Sequence, residues 1–311
     1  MGIFFGTDGL RGRVNEDLTQ DIAYKIGNAL SILKENPKII IGADTRVSNT
    51  YLALSLASGA MSGGAKVIDV GVVPTAGIAY ITKSVKADFG VVISASHNSG
   101  EYNGIKVFNS QGYKLSDKDE ERIERCFIRE KINGFPNIGS YIQDYTLVKL
   151  YKKYLINASE NSFKGKTIVL DGAFGAAHRI APEVFRKLGA NVIAANCVDN
   201  GLKINENCGA LYPENLIKRV FRYKADMGFA FDGDSDRLIA VDEKGGIIDG
   251  DKIIFGLAKY FKSIGKLKSN TVVGTDSDRV GNVGEEVDSL KESGEYLYRI
   301  KANCDEKREE C

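Results

Sequence analysis

The chain repeats one local plan three times: a β-rich run, a polar or glycine-bearing turn, a helical pattern, then a second β-rich run. The first copy is KIIIGADTRVSN (38–49), a helical segment through Met61, and GGAKVIDVG (63–71). The second is KTIVLDGAFGAAH (166–178), a helical APEVFRKLG, and ANVIAAN (190–196). The third is NTVVGTDSD (270–278), a polar helical segment, and GEYLYRI (294–300). Parallel neighbours need a crossover that a helix supplies, so this alternation predicts βαβ units. The expected fold class is α/β: three consecutive α/β domains with mixed, largely parallel sheets, the third incomplete. Polar NASENSFKG from Asn157 and a break near Gly250 divide them as 1–160, 161–250 and 251–311.

Within the first domain, Leu18, Ile22, Ile26, Leu30 and Leu33 recur at helical spacing, and Asn36-Pro37 ends the run. ADFGVVISASHN (87–98) reads as a buried strand emptying into a polar loop. Residues 116–130 and 140–157 read as helices, the second carrying Tyr141, Tyr145, Val148 and Tyr151 on one stripe.

Composition narrows the function classes. Lys+Arg total 42 against 41 for Asp+Glu, a formal net charge of +1, which predicts neither nucleic acid nor an anionic membrane as main partner. No run approaches the ~18 apolar residues of a membrane-spanning helix. The opening MGIFFGTDGL lacks a basic region and an apolar stretch, so it does not read as a secretory leader. Five scattered cysteines without C-x-x-C fit reduced thiols in a cytoplasmic protein. With two histidines, His97 and His178, a three-His zinc site is excluded. Any metal must be held mainly by carboxylates.

The segment GFAFDGDSDRLIAVDEKG (228–245) is the richest in chemistry. Asp232, Asp234 and Asp236 alternate between two apolar runs. Carboxylates that close repel unless a cation sits among them, and an all-oxygen set suits Mg²⁺ or Ca²⁺. A calcium EF-hand is disfavoured: its sixth position is Arg237 instead of glycine, and the flanks read as strands. A solvated acidic turn is the plain alternative.

VVISASHNSGEYNGIKVF (91–108) offers Ser94 and Ser96 as hydroxyls, with Lys106 returning ten residues after Ser96. An ordinary serine needs activation by a base, a metal or a charged acceptor. His97 is no dyad partner, because adjacent side chains on an extended segment point to opposite faces. FFGTDGLRGRVN (4–15) presents Arg11 between glycines, and ADTR (43–46) places Arg46 after a strand, where ligands of open α/β sheets gather. DGAFGAAH (171–178) fails the dinucleotide pattern and reads as a strand-to-helix turn. A second DSDR (276–279) reads as a chance solvated loop, and CDEKREEC (304–311) as a charged tail.

Taken together, GTDGLRG (6–12), ISASHN (93–98), NGIKVF (103–108) and DGDSDR (232–237) resemble the α-D-phosphohexomutase family in order and separation. The likeness covers residues 1 to about 274. It implies a phosphoserine enzyme that interconverts a hexose 6-phosphate and 1-phosphate through a bisphosphate, with glucosamine phosphate as the implied sugar. Ser96 would carry the phosphoryl group and, with Asp232, Asp234 and Asp236, hold Mg²⁺. Arg11, Lys106 and His97 match catalytic positions; Arg237 and Arg46 are expected at the substrate. A lysine crowded by cations would have its pKa lowered toward base duty. Expected partners are a hexosamine phosphate and a hexose bisphosphate, with the chain a monomer or homodimer.

The sequence departs from the pattern in three places. Ser235 stands where the family usually has glycine, and Ser99 where it usually has proline. No Gly-Glu-x-Ser-Gly-His type sugar loop follows TVVGT, and the family's fourth, phosphate-gripping domain is not found. Loss of such remote binding groups predicts impaired turnover. The competing expectations are a non-catalytic relative that binds Mg²⁺ or sugar phosphate, a phosphomannomutase or phosphoglucomutase, and a phosphatase-like leak to water.

Overall fold

The computed structural model describes residues 9–128, 138–159 and 162–267, and the strand backbones of 287–292 and 295–300. The expectations at 6–8, 129–130, 270–279 and 304–311 fall outside the described residues. Contacts divide the chain into two compact units, 1–245 and 246–311.

In the first unit, β1 (Leu10–Arg13), α1 (Gln20–Leu33), β2 (Lys38–Ala43), α2 (Asn49–Ser62), β3 (Lys66–Val72), α3 (Thr75–Ser84), β4 (Phe89–Ile93), β5 (Tyr102–Asn109), α4 (Asp117–Ile128), β6 (Ser140–Gln143) and α5 (Val148–Ala158) form the first half. Its sheet runs β1-β5-β4-β2-β3-β6. Strands β4, β2, β3 and β6 pair in parallel, while β5 is antiparallel to both β4 and β1. The alternation in KIIIGA shows why β2 is central. Ile39 and Ile41 pack with Ile26, Leu30, Leu52 and Leu56 on one face; Ile40 packs with Val92, Ile78, Ile81 and Tyr151 on the other. A strand covered on both faces by helices reads as a continuous apolar run.

Helix α1 starts where Thr19 caps it, its hydroxyl accepting from the Ile22 amide. It crosses α2 at backbone contact distance. A Cβ on Gly59 would lie 1.9 Å from the Tyr24 carbonyl oxygen, so only glycine fits there.

The expected helix over 140–157 divides in two. Residues 140–143 are strand β6, an edge strand paired in parallel with β3, and α5 starts only at Val148. The sheet edge offered unpaired backbone groups, and the Tyr141 hydroxyl donates to Asp69 Oδ2 at 2.7 Å. Tertiary pairing overrode the local helical stripe.

The second half of this unit comprises β7 (Thr167–Asp171), α6 (Ala177–Lys187), β8 (Asn191–Ala195), α7 (Pro213–Tyr223), β9 (Met227–Phe231) and β10 (Leu238–Asp242). Strands β8, β7 and β9 are parallel and adjacent; β10 returns antiparallel beside β9. Val169, Ala230 and Val241 pack against Leu216 and Val220 of α7, while Ile168 and Leu170 pack with Phe185 of α6.

The second unit contains β11 (Ile247–Ile248), α8 (Gly250–Ser263), β12 (Val287–Glu292) and β13 (Glu295–Ile300). Helix α8 is capped by Asp249, which accepts from the Lys252 amide. The polar helix expected before GEYLYRI is corrected over 287–292, where the backbone is a strand paired antiparallel with 295–300. A partner strand two residues away in sequence supplies its hydrogen bonds at small loop-closure cost.

Candidate functional site

Strands β4 and β9 end beside each other's loops, although 136 residues separate Ser96 from Asp232. The Ser96 hydroxyl donates to Asp232 Oδ2 at 2.7 Å, and both side chains are buried. Ligands of open α/β sheets gather outside the carboxyl ends of such strands. The loop after β4 arrives from one sheet and the loop after β9 from the other.

Ser96 adopts φ +53°, the left-handed region that costs a side-chain-bearing residue about 1 kcal/mol. Its surroundings enforce it. Ser94, fully buried on the same loop, accepts the Ser96 amide at 2.9 Å and donates its hydroxyl to Asp44 Oδ2 at 2.6 Å. From the second half, Asn205 donates its side-chain amide to the carbonyls of Ser96 and Asn98, at 2.8 and 3.0 Å.

The acidic loop is held differently. Asp232 Oδ1 accepts the Arg237 amide at 3.2 Å. Asp234 Oδ2 accepts the Thr75 hydroxyl at 2.6 Å and the Lys106 ammonium at 2.9 Å. Its other oxygen, Oδ1, is buried with no hydrogen-bond partner among the described residues. Asp236 is exposed and takes Lys106 at 3.2 Å. One carboxylate oxygen from each of Asp232, Asp234 and Asp236 lies within 4.8 Å of the others.

Electrostatics follow from that crowding. Burial first, and then the neighbouring Asp234 charge, push the Asp232 carboxyl up to about 6. Burial also acts to raise Asp234, but the Lys106 ammonium and the Thr75 hydroxyl outweigh it and hold it below the usual range. Ser235, between Asp234 and Asp236, sits at φ +62°, which explains why glycine suits this position: only glycine adopts that backbone without strain.

Lys106 requires a correction. Cationic neighbours were expected to lower its pKa. Burial alone does act that way, yet the Asp234 and Asp236 carboxylates dominate and raise it. In this arrangement Lys106 is a firm ammonium.

His97 lies half-buried next to Ser96, and its Nδ1 is buried with no hydrogen-bond partner among the described residues. Burial, followed by the Arg237 and Arg11 charges, lowers its pKa. Arg11 stands on β1, paired opposite Gly104 of β5, and Arg237 is exposed at the start of β10. The fields of both guanidiniums therefore reach the histidine beside Ser96.

Arg46, expected at the substrate, has another occupation. It is fully buried and ion-paired to Asp44 at 2.9 Å, and its remaining donors go to carbonyls of the Ser96 loop. His178, by contrast, stays outside the cluster, its Nδ1 against the Gly175 carbonyl.

Sequence reading missed Thr75 and Asn205. Thr75 begins α3 after Pro74, a helix-start signal that says nothing about a carboxylate. Asn205 lies in an irregular loop with no pattern to mark it.

Two family models match the chain: phosphoglucomutase/phosphomannomutase alpha/beta/alpha domain I over residues 2–133, and domain II over residues 146–246. The phosphoglucosamine mutase of Caldanaerobacter subterraneus subsp. tengcongensis is 47% identical over 308 residues, covering 97% of this chain and 68% of that protein. That of Clostridium novyi is 47% identical over 290 residues, covering 90% of this chain and 64% of that protein. A crystal structure of a phosphoglucomutase/phosphomannomutase family protein from Burkholderia thailandensis superposes with a TM-score of 0.74 at 27% identity, over 84% of this chain and 59% of that one.

Proposed function

The chain belongs to the phosphoglucomutase/phosphomannomutase family, and from that premise we propose that it passes a phosphoryl group between Ser96 and a hexosamine phosphate. The reading rests on one observation above all, the 2.7 Å hydrogen bond that joins the Ser96 hydroxyl to a cluster of three carboxylates. The substrate pair is glucosamine 6-phosphate and glucosamine 1-phosphate, the pair fitted by relatives named phosphoglucosamine mutase. The chain spans roughly two thirds of those relatives' length.

Asp232, Asp234 and Asp236, with the phosphoryl oxygens on Ser96, would hold a divalent cation, and Mg²⁺ suits a hard, all-oxygen set. The fit is supported by the buried, unpartnered Oδ1 of Asp234 and by the raised pKa of Asp232, both signs of carboxylates short of positive charge. When bound, the cation supplies charge neutralisation at the transferring phosphoryl group.

The protein's own residues supply positioning and positive charge, which phosphoryl transfer chiefly demands. In the forward direction the Ser96 O–P bond breaks, a sugar O–P bond forms, the sugar hydroxyl gives up its proton, and Ser96 Oγ regains one. Lys106, an ammonium wired to Asp234 and Asp236, offers positive charge and a proton path at that point. Arg11 and Arg237 add guanidinium charge for phosphate oxygens. Burial, then the Arg237 and Arg11 charges, lower the His97 pKa, which favours the neutral imidazole as a hydrogen-bonding group beside Ser96.

The proposed organisation assigns the phosphoserine loop to a domain over 1–160, the metal loop to 161–250, and the start of a third domain to 251–311. A cytoplasmic setting fits Cys126, Cys197 and Cys208, which form no disulfide among the described residues.

The test begins with the half-reaction. Incubated with a hexose bisphosphate and Mg²⁺, the chain should gain the mass of one phosphoryl group, mapped to Ser96 by peptide sequencing; Ser96→Ala should gain none. Phosphorylated chain mixed with glucosamine 6-phosphate should then return the group to the sugar. A Ser96→Ala chain that still becomes phosphorylated removes the assignment.

A further inference from the structure

Arg46 is the largest fully buried side chain among the described residues, and it donates to carbonyls of the Ser96 loop. A guanidinium has five N–H donors and no acceptor. All five are accounted for. Nε donates to Asp44 Oδ2 at 2.9 Å. Nη1 donates to the carbonyls of Ser99 and of Tyr102, the latter at 2.8 Å. Nη2 donates to the carbonyls of Ser96 at 3.0 Å and Asn98 at 2.7 Å. No donor is left for a ligand.

Its partner Asp44 is equally enclosed and equally committed. Oδ1 accepts the Arg46 amide and the Asn49 side chain, at 2.9 and 2.8 Å. Oδ2 accepts Arg46 and the Ser94 hydroxyl, and that hydroxyl accepts the Ser96 amide. Ser96 is thus gripped from both sides of its Cα: its amide through Ser94 and Asp44, its carbonyl through Arg46.

We propose that Asp44, Arg46 and Ser94 form a buried clamp that fixes the left-handed backbone of Ser96 and so positions its hydroxyl for phosphoryl transfer, Arg46 being a positioning residue instead of a substrate ligand. This rests on the phosphoserine reading above. The clamp does two things. It holds an otherwise unfavourable φ at a position where glycine, the residue suited to that backbone, would carry no hydroxyl. It also commits four carbonyl oxygens of one loop to a buried cation, so their negative ends do not compete for the space of a phosphoryl dianion. A lysine could not replace it, because three donors on a point charge do not span carbonyls from residues 96 to 102.

The experiment follows phosphoryl uptake from a hexose bisphosphate, by intact mass over time, for wild type, Ser94→Ala and Arg46→Lys. Rates are normalised to folded protein, and the half-saturating bisphosphate concentration is measured for each. Ser94→Ala removes one oxygen and keeps the Asp44–Arg46 pair, so it tests the idea even if Arg46→Lys fails to fold. The expected result is an uptake rate about tenfold lower in Ser94→Ala, and lower still in Arg46→Lys, with the half-saturating concentration unchanged, as misplacement of a reacting group predicts. A raised half-saturating concentration with an unchanged maximal rate in Arg46→Lys would make Arg46 a substrate ligand and overturn the clamp. Ser94→Ala taking up phosphoryl as fast as wild type overturns it too, with the phosphoserine reading intact. Wild type that never becomes phosphorylated overturns that reading, and the positioning role falls with it.

Discussion

The two loops that meet at the site are built on opposite terms. Each follows a β-strand's carboxyl end, and each holds one serine in the left-handed region, Ser96 at +53° and Ser235 at +62°. The Ser96 loop is closed by the chain's own groups: a buried ion pair, the Ser94 hydroxyl and the Asn205 amide. The acidic loop is not. Two of its three carboxylates, Asp234 and Asp236, share one ammonium, Asp234 keeps a buried oxygen without a donor among the described residues, and Asp232 is pushed toward protonation. Under the proposed function the difference is a division of labour: the loop that would present the nucleophile is pre-organised, and the loop opposite has the carboxylates that a cation would complete.

That contrast can be broken at the clamp first. Arg46→Met leaves Asp44 charged, buried and unpaired, so urea unfolding should show a loss of about 3–5 kcal/mol. Loss under about 1 kcal/mol would mean the pair adds little to the loop's rigidity.

The acidic loop should respond to metal instead. Saturating Mg²⁺ should stabilise wild type by about 2.7 kcal/mol at a hundredfold excess over Kd, read as a shift in thermal midpoint. In Asp234→Asn that shift should largely vanish, whereas in Asp278→Asn it should persist. Equal effects in the two variants would place the cation elsewhere.

A finer probe is Thr75, whose hydroxyl donates to Asp234 Oδ2 at 2.6 Å. Thr75→Val removes a charge-assisted hydrogen bond and should cost about 1.5–3 kcal/mol without metal. Added Mg²⁺ should recover part of it. No recovery would show that Thr75 serves the fold of α3 and not the carboxylate.

The smallest effect lies at the sheet edge, as a reference outside both loops. Burial, then the hydrogen bond to Asp69, pushes the Tyr141 phenol up to about 12. A raised folded pKa means stability fully present below the ordinary value near 10 and lost as pH climbs toward 12. Tyr141→Phe should flatten that alkaline loss in a pH series of thermal midpoints while leaving both loops unchanged.

How much of this was legible depends on the range of the interaction. Asp232, Asp234 and Asp236 could be seen as a cation cluster because like charges so close in sequence stay close in any fold. The central strand was legible because Ile39, Ile40 and Ile41 leave no polar face to expose. Strand β6 was not, since Tyr141 falls on a helical stripe with Tyr145, Val148 and Tyr151 and only the open edge of β3 decides otherwise. Lys106 was read as crowded by cations because its true neighbours, Asp234 and Asp236, lie 128 and 130 residues away.

The sequence by itself determined the α/β plan, the acidic cluster and the family, because strand and helix periodicity and short charge spacing are local properties. Only the tertiary structure decided that Ser96 faces Asp232, that Thr75 and Asn205 belong to the site, and that Arg46 is spent inside the protein. The physical reason is competition: a guanidinium takes whichever acceptors the fold brings nearest, and here a buried carboxylate and four backbone carbonyls take all five of its donors.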